Sequence, residues 1–241
     1  MLLWLVLWQL AAMALRRAYP HGNLLLASPV SVLERLWQLA CTAAFWETVG
    51  RSAARIFGGF LLSTILAVLC AALAAWKPRF RELLAPPVAV IKAVPVASFI
   101  ILALVWLDSR SLSFFISALM VFPPVYLNVL EGLCRTDRQL LEMARHSRPP
   151  LPAAAVHRLA AGAPHLRTAL SLALGLCWKA GAAAEVIGLP AGTIGERLYT
   201  AKVYFQTPDL FAWTLAIVAV SVLAERLLLR LADAAVERWC G

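Results

Sequence analysis

The residues from Trp178 to Gly188 read WKAGAAAEVIG and set a lysine and a glutamate six positions apart, at the end of an apolar run that begins near Leu166. On a helix, six positions amount to about 9 Å of rise and roughly 120° of rotation. Lys179 and Glu185 therefore do not stack as an i,i+4 pair would, although a flexible lysine can still reach toward the carboxylate. A charge at bilayer depth costs about 2.5–3.5 kcal/mol on insertion scales, so Lys179 is expected to face a cavity or a partner charge rather than lipid. Three uses fit. Lys179 forms a structural ion pair, with Glu185 or across a dimer; it lines a path and offers positive charge to an anion; or it snorkels.

Other chemistry is poorly supplied. There is no Ser/His, Asp/Asp or HExxH constellation for a membrane enzyme. Glu131 and His146 have no partners at metal-ligand spacing. Cys41, Cys70, Cys134, Cys177 and Cys240 form no CxxC and no Cys/His cluster, so neither a metal site nor a disulfide is expected. A nucleotide site would need GxxxxGK[ST]; the nearest glycine-rich stretch, GLPAGTIG at 188–195, lacks the lysine. A channel would need a polar pore stripe or filter loop, and neither is visible.

These charges are set in a membrane protein. The chain is 62% hydrophobic with a mean hydropathy of +0.78, against about 45–50% apolar for soluble domains. Apolar runs near bilayer length predict a single all-α integral membrane domain over 1–241, with about six transmembrane helices. The spans expected are Leu2–Leu15, Ser52–Trp76, Leu84–Leu107, Leu112–Leu133, Leu166–Ile187 and Leu210–Leu231. Pro95 should kink the third or open its hydrogen-bond ladder, and Pro123-Pro124 should break the fourth. Gly58-Gly59 should let another helix approach closely. Ser28-Pro29 signals a helix start. The segment 29–40 then reads as an external amphipathic helix, with Val30, Leu33, Trp37 and Ala40 on one face. The net charge of +9 comes largely from Arg and Lys flanking the spans, which points to membrane topology rather than to nucleic acid. Both termini and the long basic stretch 135–165 are assigned to the cytoplasm. Arg16, Arg17, Arg197 and Lys202 then lie outside, together with Arg55 at the start of the second span.

The segment LLEMARHSRPPLPAAAVHRLAAGAPHL at 140–166 resembles the EAA loop of binding-protein-dependent ABC transporter permeases, with Glu142-Met143-Ala144 in place of the triplet. SAARIFGGF, AVPVASFIILALVWL, VFPPVYLNVLEGL, LALGLCWKAGAAAEVIG and TPDLFAWTLAI occur in the order and spacing of the nitrate/sulfonate/taurine-type permeases, so the resemblance covers nearly the whole chain. Two departures stand out: Arg148 replaces the loop glycine, and Leu159-Ala160 replaces the usual Leu-Pro.

The resemblance implies a type I ABC importer permease fold in the cell membrane, and a non-catalytic subunit that binds no cofactor itself. ATP and Mg would be handled by two partner ATPase subunits. A second permease copy, an extracytoplasmic substrate-binding protein and membrane lipid are the other implied partners. Leu141, Glu142, Met143, Ala144, Arg145, His146 and Arg148 would couple to the ATPase. Lys92, Pro95, Ser98, Pro123, Trp178, Lys179 and Glu185 would lie on the translocation path or its gate. The resemblance also puts Glu185 at a common acidic position, and Lys179 where an apolar residue is common. The solute would be a sulfonate- or nitrate-like anion or a small nitrogenous compound such as a thiamine-precursor-like pyrimidine. The alternative is a channel or other membrane protein whose basic loop is only solvated.

Overall fold

The computed structural model describes the backbone of residues 2–19, 22–134 and 151–240, and the side chains of 3–19, 24–134 and 167–230. The expected coupling residues Leu141, Glu142, Met143, Ala144, Arg145, His146 and Arg148 lie outside the described residues. The described regular elements are all helices: α1 Leu2–Ala18, α2 Gly22–Leu25, α3 Pro29–Ala40, α4 Ala43–Trp76, α5 Pro78–Ala93, α6 Val96–Ala103, α7 Ser109–Cys134, α8 Leu151–Gly188, α9 Ile194–Val203 and α10 Thr207–Cys240.

Four of them contain stretches long and apolar enough to cross a bilayer: α4, α7, Arg167–Gly188 of α8 and Thr207–Arg230 of α10. A fifth is the pair α5 and α6, if the two count as one span bent by 103°. The apolar α1 coincides with the short first span expected, but at 17 residues it is not among the helices long and apolar enough to cross, so four or five of the roughly six expected spans are found among the described residues.

The third span was expected to kink or to open its hydrogen-bond ladder at Pro95, and it opens: Val94 caps α5, and Pro95 becomes the N-cap of α6. Proline lacks the N–H that would continue the ladder, and it pushes the residue before it into extended backbone; Val94 sits at ψ 133°. The reverse holds at Pro123-Pro124, where α7 runs through without a break. Asn128 Nδ2 donates to the Pro124 carbonyl at 2.8 Å, and neighbouring helices enclose Pro123. Such packing and side-chain bonding let prolines persist inside membrane helices. The span expected from Leu166 starts earlier, because α8 is helical from Leu151. Part of the expected 135–165 loop is therefore helix. The alanines at 153–155, 160, 161 and 163 favour that state, and Pro152 lies in the first turn, where proline is tolerated.

The centre of the bundle is α7, which packs along both α4 and α8. Small residues set the spacing. A Cβ added at Gly59 would collide with the Phe114 carbonyl oxygen of α7. One added at Gly181 would sit 2.5 Å from Ser117 Oγ and 2.6 Å from Ile56 Cγ1. The close approach expected of Gly58-Gly59 is thus made at Gly59, and Gly181 does the same for α8. The main apolar core joins Ile56 and Phe60 of α4, Val121, Val125 and Tyr126 of α7, and Leu174, Cys177 and Trp178 of α8.

The helix α3 forms as expected, with Ser28 Oγ accepting from the Ser31 N–H at 3.2 Å. Val30, Leu33 and Trp37 are exposed along one stripe, whereas Val32 is buried and Leu36 and Leu39 pack inward. The chain thus presents an apolar stripe of α3 away from its own core, as a helix lying at a membrane surface would.

Candidate functional site

Glu185 is 1% exposed, although it lies near the end of a span. Its carboxylate is held across the bundle. Ser52 Oγ of α4 donates to Glu185 Oε2 at 2.7 Å, and the Gly195 N–H of α9 donates to the same oxygen at 3.3 Å. Ser52 Oγ in turn accepts from the Ile194 N–H at 2.9 Å. The first N–H groups of a helix have no partner within it and carry partial positive charge, so a carboxylate is well placed there. One side chain of α8 thereby fixes the start of α9 against α4.

The turn that brings α9 back is set by local chemistry. Gly192 has φ +73°, a left-handed conformation that glycine adopts without strain, and Arg51 lies where its Cβ would be. Thr193 caps α9 by accepting from the Glu196 N–H at 3.3 Å, while Glu196 Oε2 accepts from the Gly192 N–H at 2.6 Å. This is close to the Thr-x-x-Glu capping box. Gly195 then packs so near the α8 backbone that a Cβ would collide with the Glu185 carbonyl carbon and Cβ.

Lys179 lies about one and a half turns back along α8, and its setting is the opposite. It is exposed on a face it shares with Leu172, Leu176 and Ile187. Among the described residues it forms no ion pair with Glu185. Ala180 and Ala184 pack beside it against Ile100 and Ala103 of α6. The break before α6 gathers three other expected path residues: Lys92 in the last turn of α5, Pro95 at the break and Ser98 in the first turn of α6, all exposed. Pro123 and Trp178 are buried, and Trp178 belongs to the central core. The seven expected path residues thus divide into an exposed set on the α5–α6 bend and α8, a buried pair in the core, and the Glu185 anchor.

A cleft of about 220 Å³ lies beside α9, lined by Arg35, Phe45, Arg197, Gln206, Asp209 and Trp213 among others. Arg35 closes one wall with a two-pronged ion pair to Asp209, through Nε to Oδ1 and through Nη2 to Oδ2 at 3.2 Å. That hydrogen bonding raises the Arg35 guanidinium above its ordinary range, with desolvation pulling the other way. Phe45 and Trp213 pack beneath, ring centroids 5.0 Å apart.

Ser52, Gly195, Arg35 and Asp209 were not singled out in the sequence. Thr193-x-x-Glu196 was a readable sign of the α9 start, whereas the other contacts join positions far apart in the chain.

Helices this long and apolar make this an integral membrane protein. The family model for the binding-protein-dependent transport system inner membrane component matches residues 63–239, and the chain belongs to that family. It is therefore an ABC transporter permease. The chain is 28% identical over 228 residues to a probable ABC transporter permease protein of Brucella melitensis biotype 1, covering 90% of this chain and 89% of that one. It is 29% identical over 221 residues to the putative aliphatic sulfonates transport permease protein of Escherichia coli (strain K12), covering 88% and 78%. It is 29% identical over 249 residues to the riboflavin transport system permease protein of Chloroflexus aurantiacus, covering 95% and 87%.

Proposed function

We propose that this chain is the membrane-spanning, non-catalytic subunit of an ATP-driven importer, and that it works as a homodimer in the cytoplasmic membrane with both termini inside. Two ATPase subunits bind the Leu141–Arg148 segment on the inner side and carry the ATP and Mg. An extracytoplasmic binding protein delivers the solute to the end of the bundle that holds α9 and the Arg35–Asp209 cleft. The solute is a small sulfonate- or nitrate-like anion, or a small nitrogenous compound. The relative named for aliphatic sulfonates supports the anionic class.

The observation that carries the reading of the site is the exposure of Lys179 in mid-span. A lysine at that depth is costly against lipid, so this face of α8 lines the pathway, and the ammonium offers an anion its counter-charge. The bend at Val94–Pro95 adds Lys92 and Ser98 to the same route. Closure of the ATPases on ATP binding would move the two permease copies between inward- and outward-facing states. The glutamate-to-arginine segment 142–148 would transmit that motion.

The test is uptake of a labelled aliphatic sulfonate into proteoliposomes containing the permease, its ATPase and its binding protein. Lys179→Met should abolish uptake in a complex that still assembles; wild-type uptake would remove Lys179 from the path. Charge reversal at Arg145 should uncouple hydrolysis from uptake. Failure to form a stable complex with any ATPase would sink the importer reading itself.

A further inference from the structure

The cleft beside α9 belongs to neither the Glu185 anchor nor the proposed path, since none of its described lining residues comes from α5, α6 or α8. Phe45 and Trp213 form an enclosed apolar floor, 6% and 5% exposed. Around them, two arginines are set against one aspartate. Asp209 is already neutralised by its two-pronged bond to Arg35. Arg197 is exposed and has no ion pair among the described residues. Gln206 adds an exposed amide, which can both donate and accept.

Charge, volume and orientation together select what fits. The uncompensated Arg197 favours an anion, and the guanidinium fork matches oxyanions such as carboxylates. The aromatic floor favours an apolar body. The volume, about 220 Å³, is under the roughly 300–1,000 Å³ of pockets that enclose drug-sized ligands, so that body is short. At about 100° per residue, Arg35 and Leu39, which line the cleft, lie across α3 from its exposed apolar stripe of Val30, Leu33 and Trp37. The cleft is thus turned away from the side of α3 that suits lipid, and its ligand is water-soluble.

We propose that the cleft binds a short-chain organic anion, with its carboxylate or sulfonate on Arg197 and its apolar part over Phe45 and Trp213. The Arg35–Asp209 pair is a fixed, neutral wall of the site. The site is additional to the Lys179 face and does not rest on the importer reading.

Calorimetric titration of the full chain in detergent, without ATPase or binding protein, tests this with butanesulfonate as the probe. Saturable binding is expected. Inorganic sulfate, which lacks the apolar body, should bind about tenfold more weakly or worse, and butylammonium should not bind. Arg197→Gln should weaken butanesulfonate binding about tenfold with the Tm unchanged. Lys202→Gln, on the same helix but outside the lining, should bind as the parent does. Equal weakening by the two variants would mean diffuse charge attraction and overturn the site. Binding lost in Lys179→Met but kept in Arg197→Gln would place the anion on the path and overturn it too. So would absent binding together with weaker docking of the binding protein to Arg197→Gln, which would make the cleft a protein contact.

Discussion

The two ends of the Trp178–Gly188 segment are built on opposite plans. At Glu185 the carboxylate is enclosed and bonded to α4 and α9, and a glycine lets α9 touch the α8 backbone. Around Lys179 the face is open, and α5 and α6 meet at a break whose polar residues are also exposed. Enclosed polar contacts with tight backbone packing resist rearrangement. Exposed charges beside a broken helix offer little resistance. The same helix thus carries a buried anchor and, less than two turns away, an exposed charge.

That contrast can be broken most severely at Gly195. Gly195→Val should abolish folding, because the added carbons meet backbone rather than a side chain that could move aside; overpacking already costs about 1–3 kcal/mol where neighbours can adjust. Yield of monodisperse protein in detergent would show it, and wild-type yield would mean that α9 does not dock as described.

Glu185→Ala comes next. It strips an acceptor from the Ser52 hydroxyl and the Gly195 N–H, about 1–3 kcal/mol for each donor left unpaired. Glu185→Gln keeps an oxygen for both and should recover much of the lost Tm. Equal losses in the two variants would show that the hydrogen bonds are not what anchors α9.

Asp209→Asn tests an intermediate case. The Arg35–Asp209 pair is two-pronged but partly exposed, with side-chain exposures of 41% and 13%, so solvent screening should hold the loss to about 0.5–1 kcal/mol. A double-mutant cycle with Arg35→Ala measures it; a coupling several times larger would make the cleft wall part of the anchor. Least affected should be the stability of Lys179→Met, whose Tm should equal that of the parent or slightly exceed it. A marked fall would mean that Lys179 has a structural partner, such as a second copy of the chain.

How far the sequence foretold this depends on the distance over which each feature is determined. Span positions follow from apolar runs, and the α3 start follows from Ser28-Pro29; both are local. The prolines were harder, since their outcome turns on what surrounds them. Pro95, exposed, ends a helix, while Pro123, enclosed, and Pro124, whose carbonyl Asn128 caps, let α7 continue. The helix from Leu151 was hidden because its basic, proline-containing start reads as a loop until the alanines are weighed. The partners of Glu185 were out of reach. Ser52 stands 133 positions away, and no local pattern links the two.

The length of α8 has a mechanical consequence. A continuous helix of 38 residues is a rod of about 57 Å, well over the roughly 30 Å of a bilayer's hydrocarbon core. The Gly188 half is packed into the bundle, with Leu174, Cys177, Trp178 and Glu185 buried, so a rigid rotation of the rod would pivot there. A tilt of about 5° would sweep the Leu151 end through about 5 Å, close to one helical turn. The Leu151 end adjoins the segment proposed to meet the ATPase, so a small rotation at the packed end would become a large stroke there.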